Sequence, residues 1–92
     1  MVTSPVSVRE VEEIMPRVSE VIRSASDKAK NRIIRPETLL LEELALDSLD
    51  MVRVVMLIED QHGVVIDLDE ISNMKSAGDL ARVLLRETKA AA

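Results

Sequence analysis

Leu44-Ala45-Leu46-Asp47-Ser48-Leu49-Asp50 leads straight into a dense apolar segment, Val52, Val54, Val55, Met56, Leu57 and Ile58, to which Arg53, Glu59 and Asp60 give a polar side. So long a run predicts a helix from Ser48 to His62, with Gly63 suited to the left-handed residue that stops it. Asp47 or Ser48 would be its N-cap, since either side-chain oxygen can accept a hydrogen bond from the free amides of the first turn. A hydroxyl at that place also has chemical meaning. The positive end of a helix favours an anion, so a phosphate ester on Ser48 would sit in a favourable field. Asp47 and Asp50 carry negative charge close to that oxygen, which argues against a site for free phosphate; they fit better as handles for a basic partner protein.

Asp47-Ser48-Leu49-Asp50 resembles the attachment motif of acyl carrier proteins, in which a serine receives a 4′-phosphopantetheine arm. The surroundings extend the likeness over roughly residues 18–87. Upstream, Thr38-Leu39-Leu40-Leu41-Glu42-Glu43-Leu44 resembles the leucine-bearing loop that leads into the carrier serine. Downstream, Ile66-Asp67 and Met74-Lys75-Ser76-Ala77-Gly78-Asp79-Leu80 resemble the closing helices of that family. The fold so implied is all-α, a small four-helix bundle with a long first loop and a short third helix.

Along the chain, residues 1–6 show no periodicity and read as a loose tail. Ser7 and Glu10 have capping-box spacing. Val8, Val11, Met15, Val18, Ile22 and Ala25 then recur at steps of three or four, which is one apolar helix stripe. Pro16 interrupts it at a cost of about 3 kcal/mol, so the helix either kinks there or begins there. The resemblance places the family's first helix at Met15 to Ser26. It leaves 1–14 as an N-terminal tail or helical extension and 15–92 as the carrier-like domain. Lys28, Lys30, Arg32 and Arg35 mark a basic, solvated connection. Leu39, Leu40, Leu41, Leu44 and Leu46 would pin the following loop to the bundle. Asp67-Leu68-Asp69-Glu70 starts a short third helix ending near Asn73. Ser76 to Asp79 starts a fourth with Ala77, Leu80, Ala81, Leu84 and Leu85 inward, and 88–92 should fray. Val64-Val65-Ile66 is too short to make a sheet by itself.

Ninety-two residues allow one small core. With 47% hydrophobic and 32% charged residues the chain is globular rather than disordered. It has no aromatic side chain and five Met, so the core is aliphatic and pliable. Cysteine is absent, which removes disulfides, thiolate metal sites and a cysteine nucleophile together. Any thioester chemistry would need a sulfur from an added group. No stretch approaches the roughly 20 apolar residues of a membrane span, and the start lacks the basic and apolar regions of a secretory signal, so a cytoplasmic location is expected. The net charge of −5 is uneven: +2 from residues 1–36 (seven cations, five acids) and −7 from 37–92 (five cations, twelve acids). Such an acidic body repels nucleic acid and anionic membrane and attracts basic protein patches.

Catalytic alternatives fare poorly. His62 is the one histidine and stands fourteen positions from Ser48 on the same helix, about 21 Å away at 1.5 Å per residue, out of reach as its base. Asp67-Leu68-Asp69 hints at calcium but lacks the later ligands and the glycine of a calcium loop, so no metal site is expected. No glycine-rich phosphate loop is present. The expectation is a substrate of enzymes and not an enzyme.

The resemblance implies a free-standing acyl carrier protein for fatty-acid or polyketide-type biosynthesis. A phosphopantetheinyl transferase would esterify Ser48 from coenzyme A, and the arm's thiol would hold acyl groups as thioesters. It further implies partners that transfer, elongate or modify acyl groups through basic docking patches, and a monomeric carrier. Docking would fall to Asp47, Leu49, Asp50, Arg53, Glu59 and Asp60, and Val55, Ile58, Ile66 and Met74 would line an acyl groove. Two residues depart from the family pattern: Ala45 stands where a glycine is common, and Arg53 where an acid is usual. An aminoacyl or peptidyl carrier, or an unmodified acidic helical interaction module, are the alternatives.

Overall fold

The computed structural model describes residues 7–91, so the expected loose tail at 1–6 and the last residue lie outside the described residues. Among the described residues the secondary structure is helical, with α1 (Val8–Ala25), α2 (Ser48–His62) and α3 (Ala77–Ala91) joined by two 3-10 segments, Asp27–Ala29 and Leu68–Asn73. α1 packs against both α2 and α3. The bundle is the all-α fold expected, and its short third helix is the six-residue 3-10 segment.

α1 opens with the reciprocal cap that its sequence encodes: the Glu10 amide donates to Ser7 Oγ (3.2 Å) and the Ser7 amide to Glu10 Oε1 (3.1 Å). The helix then runs through Pro16 as one element. The lost amide would have bonded the carbonyl of Glu12, an exposed residue whose backbone water can reach, while Val11, Met15, Val18 and Ile22 are buried on both sides of the proline. That shared burial keeps the two halves in one helix. Val8 is the member of the stripe that fails, standing 77% exposed. The far end of α3 is also held: Lys89 pairs with Glu10 at 2.7 Å, and the helix persists to Ala91 where fraying was expected.

The loop from 30 to 47 is packed down by buried Ile34, Leu40, Leu44 and Leu46. Leu39 is only half-buried and Leu41 turns outward, so two of the five leucines expected to pin this loop do less than that. Three main-chain bonds fix the loop to the start of α3. The Leu40 amide donates to the Lys75 carbonyl (2.8 Å), Ala77 to Thr38 (2.9 Å) and Gly78 to Pro36 (2.7 Å). A Cβ added at Gly78 would stand 2.8 Å from the Pro36 oxygen, so glycine is what lets the two backbones approach this closely.

Gly63 ends α2 in the left-handed conformation at φ 64°. Val64 and Ile66 then turn into the core with Val65 facing solvent between them, and the Ile66 amide donates back to Glu59 Oε2 at 2.9 Å. Asp67 caps the 3-10 helix by accepting the Asp69 amide. Its carboxylate thus has a local role as a cap. Ser76 and Asp79 repeat the reciprocal cap at α3, each carrying the other's backbone amide at 3.1 Å.

Candidate functional site

Asp47 is the N-cap of α2, and this settles which of the two candidates does that work. Its carboxylate accepts the Asp50 amide (2.8 Å), and Asp50 accepts the Asp47 amide in return (3.1 Å). Ser48 is therefore the first helical residue. Its side chain is exposed, and its hydroxyl makes no hydrogen bond with any described residue. A serine that had to cap the helix would have its oxygen occupied; here a neighbour has taken that duty, and the hydroxyl stands free at the positive end of a fifteen-residue helix.

The charge around this oxygen is not simply acidic. Lys28, from the 3-10 turn after α1, reaches both flanking carboxylates, at 3.0 Å from Asp50 and 3.4 Å from Asp47. The Asp47 amide, and after it the Lys28 ammonium, hold the Asp50 carboxyl below its ordinary range. Lys28 is raised in turn, chiefly by its hydrogen bond to Asp50. Asp50 is 6% exposed and faces inward, so it is corrected here from docking handle to structural group. Its place as the third residue of a capping box forces that orientation, and the three-residue spacing of Asp47 and Asp50 was the signal for it. Glu59 is half-buried and spends an oxygen on the Ile66 amide. Of the six expected docking residues, Asp47, Leu49, Arg53 and Asp60 remain on the surface.

Beside Ser48 lies a groove of about 580 Å³ bounded by the loop, the start of α2, the 3-10 helix and the approach to α3. Its apolar lining is Leu41, Met51, Val52, Leu68, Ile71 and Met74, with Glu42, Ser72 and Lys75 as the polar members beside Ser48. Met74 is the one residue of the four expected groove residues found there. Val55, Ile58 and Ile66 are all at most 4% exposed and belong to the core: the first two lie on the side of α2 covered by the bundle, and Ile66 turns inward after the helix has ended at Gly63. Leu41, Met51, Val52, Leu68 and Ile71 are the groove residues that sequence reasoning missed, and of these Leu68 and Ile71 carried a readable signal. They stand three apart, which in a 3-10 helix of three residues per turn places both on one face.

These features fit a phosphopantetheine ester. The hydroxyl is accessible and unengaged, the helix end favours the phosphate, and the adjacent groove is apolar. Comparison with known proteins agrees. The family model described as phosphopantetheine attachment site matches residues 9–84. An acyl carrier protein of Acidothermus cellulolyticus is 34% identical over 80 residues, covering 87% of this chain and 94% of that protein. One from Rickettsia massiliae is 32% identical over 73 residues, covering 79% and 84%. The meromycolate extension acyl carrier protein of Mycobacterium leprae is 30% identical over 69 residues, covering 75% of this chain and 59% of its own length. No helix among the described residues is long and apolar enough to cross a membrane. A match over most of its length, together with relatives of this similarity, makes the chain a member of the acyl carrier protein family, whose prosthetic group is 4′-phosphopantetheine.

Proposed function

We propose that Ser48 is the point of attachment, and that the chain carries hydrocarbon acyl groups for fatty-acid or polyketide-type synthesis. The observation that carries the reading is the serine hydroxyl relieved of capping by Asp47 and standing exposed beside an apolar groove. Ser48 Oγ attacks the pyrophosphate phosphorus of coenzyme A that bears the pantetheine. A new phosphate ester forms, the bond to the other phosphorus breaks, adenosine 3′,5′-bisphosphate leaves, and the serine proton passes to a base of the transferase. The group, when attached, supplies a thiol on which acyl groups are held as thioesters.

What the chain itself contributes is placement and shelter. Asp47 and Asp50 hold the helix end, Lys28 holds the two carboxylates, and the helix end accommodates the ester's charge. The groove supports aliphatic cargo, since each methylene moved from water into such a lining contributes about 0.8 kcal/mol. A lining in which six residues are apolar favours this over an aminoacyl cargo. The chain is then acted on by enzymes and is not one; His62 lies at the opposite end of α2 from Ser48. Like its partners it would work in the cytoplasm.

Incubation with coenzyme A and a promiscuous phosphopantetheinyl transferase tests this by intact mass. One added phosphopantetheine, lost in Ser48→Ala, is the expected result. An unmodified chain under conditions that load a control carrier would overturn it.

A further inference from the structure

Asp47 and Asp50 cannot retreat from the corner that carries Ser48, because the reciprocal cap fixes both. Asp47 Oδ1 accepts the Asp50 amide at 2.8 Å, and Asp50 Oδ2 accepts the Asp47 amide at 3.1 Å. Lys28 is the cation that pairs with them. Two carboxylates against one ammonium leave this triad one negative charge, and a phosphodiester on the serine between them would add a second. The helix end returns only about half a positive charge. Of the three charged groups, Lys28 is the one free to respond. Its backbone is anchored, since its amide donates to Ser26 Oγ at 3.2 Å and the next residue, Ala29, is fully buried. Its side chain is 46% exposed. An ammonium has three N–H donors. Two reach Asp50 at 3.0 Å and Asp47 at 3.4 Å, and the third has no acceptor among the described residues.

We infer that Lys28 holds the phosphate of the arm: once Ser48 is esterified, the ammonium gives its spare N–H to a phosphate oxygen while it keeps Asp50. The turn after α1 is then tied to the start of α2 through the prosthetic group. This rests on Ser48 being the attachment point, and adds to it a positioning residue for the arm. Asp50 is the partner retained, because its side chain is buried and a buried carboxylate stripped of its cation is strongly destabilising. Asp47 is the partner that can be loosened, since its side chain is 62% exposed and an exposed pair contributes little. A bond from an ammonium to a phosphate oxygen is charge-assisted, and a compact cation on a flexible stem suits a phosphate that can turn about its ester bond.

The test compares the parent, Lys28→Arg and Lys28→Met, each unmodified and loaded from coenzyme A by excess transferase, with loading confirmed by intact mass. At low salt the change in melting temperature on loading should be about 4 °C more positive in the parent than in Lys28→Met. Lys28→Arg should keep the parent's value. A lysine that served only the fold would lower both forms alike and leave the changes equal. In 1 M salt, where the screening length falls to about 3 Å, the difference should shrink. The Lys28 ε-methylene resonances should also move when the parent is loaded, while those of exposed Lys30 stay in place, a readout that holds even where Lys28→Met folds or loads poorly. Equal changes in parent and Lys28→Met, or an unmoved Lys28 resonance, would overturn the inference. A parent that fails to load overturns the attachment reading and this one with it, whereas a loaded parent with equal changes overturns the role of Lys28 alone.

Discussion

Replacing Ala45 by glycine should stabilise the protein by about 1 kcal/mol. Ala45 adopts φ 57°, the left-handed region that an L side chain occupies at a cost of roughly 1–2 kcal/mol. The conformation is imposed by its neighbours. Leu44 and Leu46 are both buried, and their amides bond to the Leu39 and Leu40 carbonyls at 3.2 and 3.1 Å, so the chain must reverse at the residue between them. The Ala45 side chain is itself exposed, and its removal costs no core packing. Glycine relieves the backbone strain but loses about 0.4–1 kcal/mol through its freer unfolded state. For a domain of this size the net gain corresponds to a rise in melting temperature of about 4–8 °C, readable by circular dichroism or by the urea midpoint at unchanged slope. A melting temperature equal to or below the parent's would refute the reasoning, because it would mean that alanine carries no penalty at this turn.

Other expectations concern separate parts of the molecule. Gly78→Ala should cost about 2 kcal/mol and lower the melting temperature, because its Cβ meets the Pro36 carbonyl oxygen at 2.8 Å and any helix-propensity gain is smaller than the overpacking cost. Asp50 has its carboxyl depressed by the Asp47 amide and by Lys28, so its contribution is complete above the unfolded carboxylate value near 4 and is lost as pH falls through the lower folded value. Acid titration of the urea midpoint should therefore fall less steeply below about pH 4 in Asp50→Asn, which should also be less stable at pH 7. Lys28 mirrors this at the other end: its raised value means that its contribution is present below the ordinary lysine range and lost as pH rises through the folded value. Ile71→Ser should leave loading of Ser48 unchanged while hydrolysis of a medium-chain acyl thioester quickens several-fold, since about 1 kcal/mol of apolar lining is removed from the groove.

The sequence carried α2, the glycine that stops it and the two later caps, because each depends on neighbours within four residues. The aspartate-capped serine was legible as a pair of candidates; choosing between them needed the observed bond from the Asp50 amide. What sequence could not supply was sidedness. Asp50 and Asp60 look alike in a string, yet one is buried by a cap and by a lysine twenty-two residues upstream while the other stands in water. Val55 and Ile58 were expected in the groove on the carrier resemblance, and both are core residues instead. Their burial depends on where α1 crosses α2, a tertiary fact with no local signature. Pro16 shows the same limit, since local cost left open a kink or a fresh start there, and packing on both sides carries the helix through it.

The three main-chain bonds that rivet the loop to the start of α3 have a mechanical consequence for the groove. The wall made by Leu41, Glu42 and Lys75 adjoins these bonds and is tied into one unit by them. The opposing wall is the 3-10 helix Leu68–Asn73, in which no residue is buried. With α2 packed on the bundle, that unburied segment between Asp67 and Met74 is the wall whose lifting would cost least when a longer chain is admitted. On the carrier reading, cargo length would then be gauged by the compliance of those six residues.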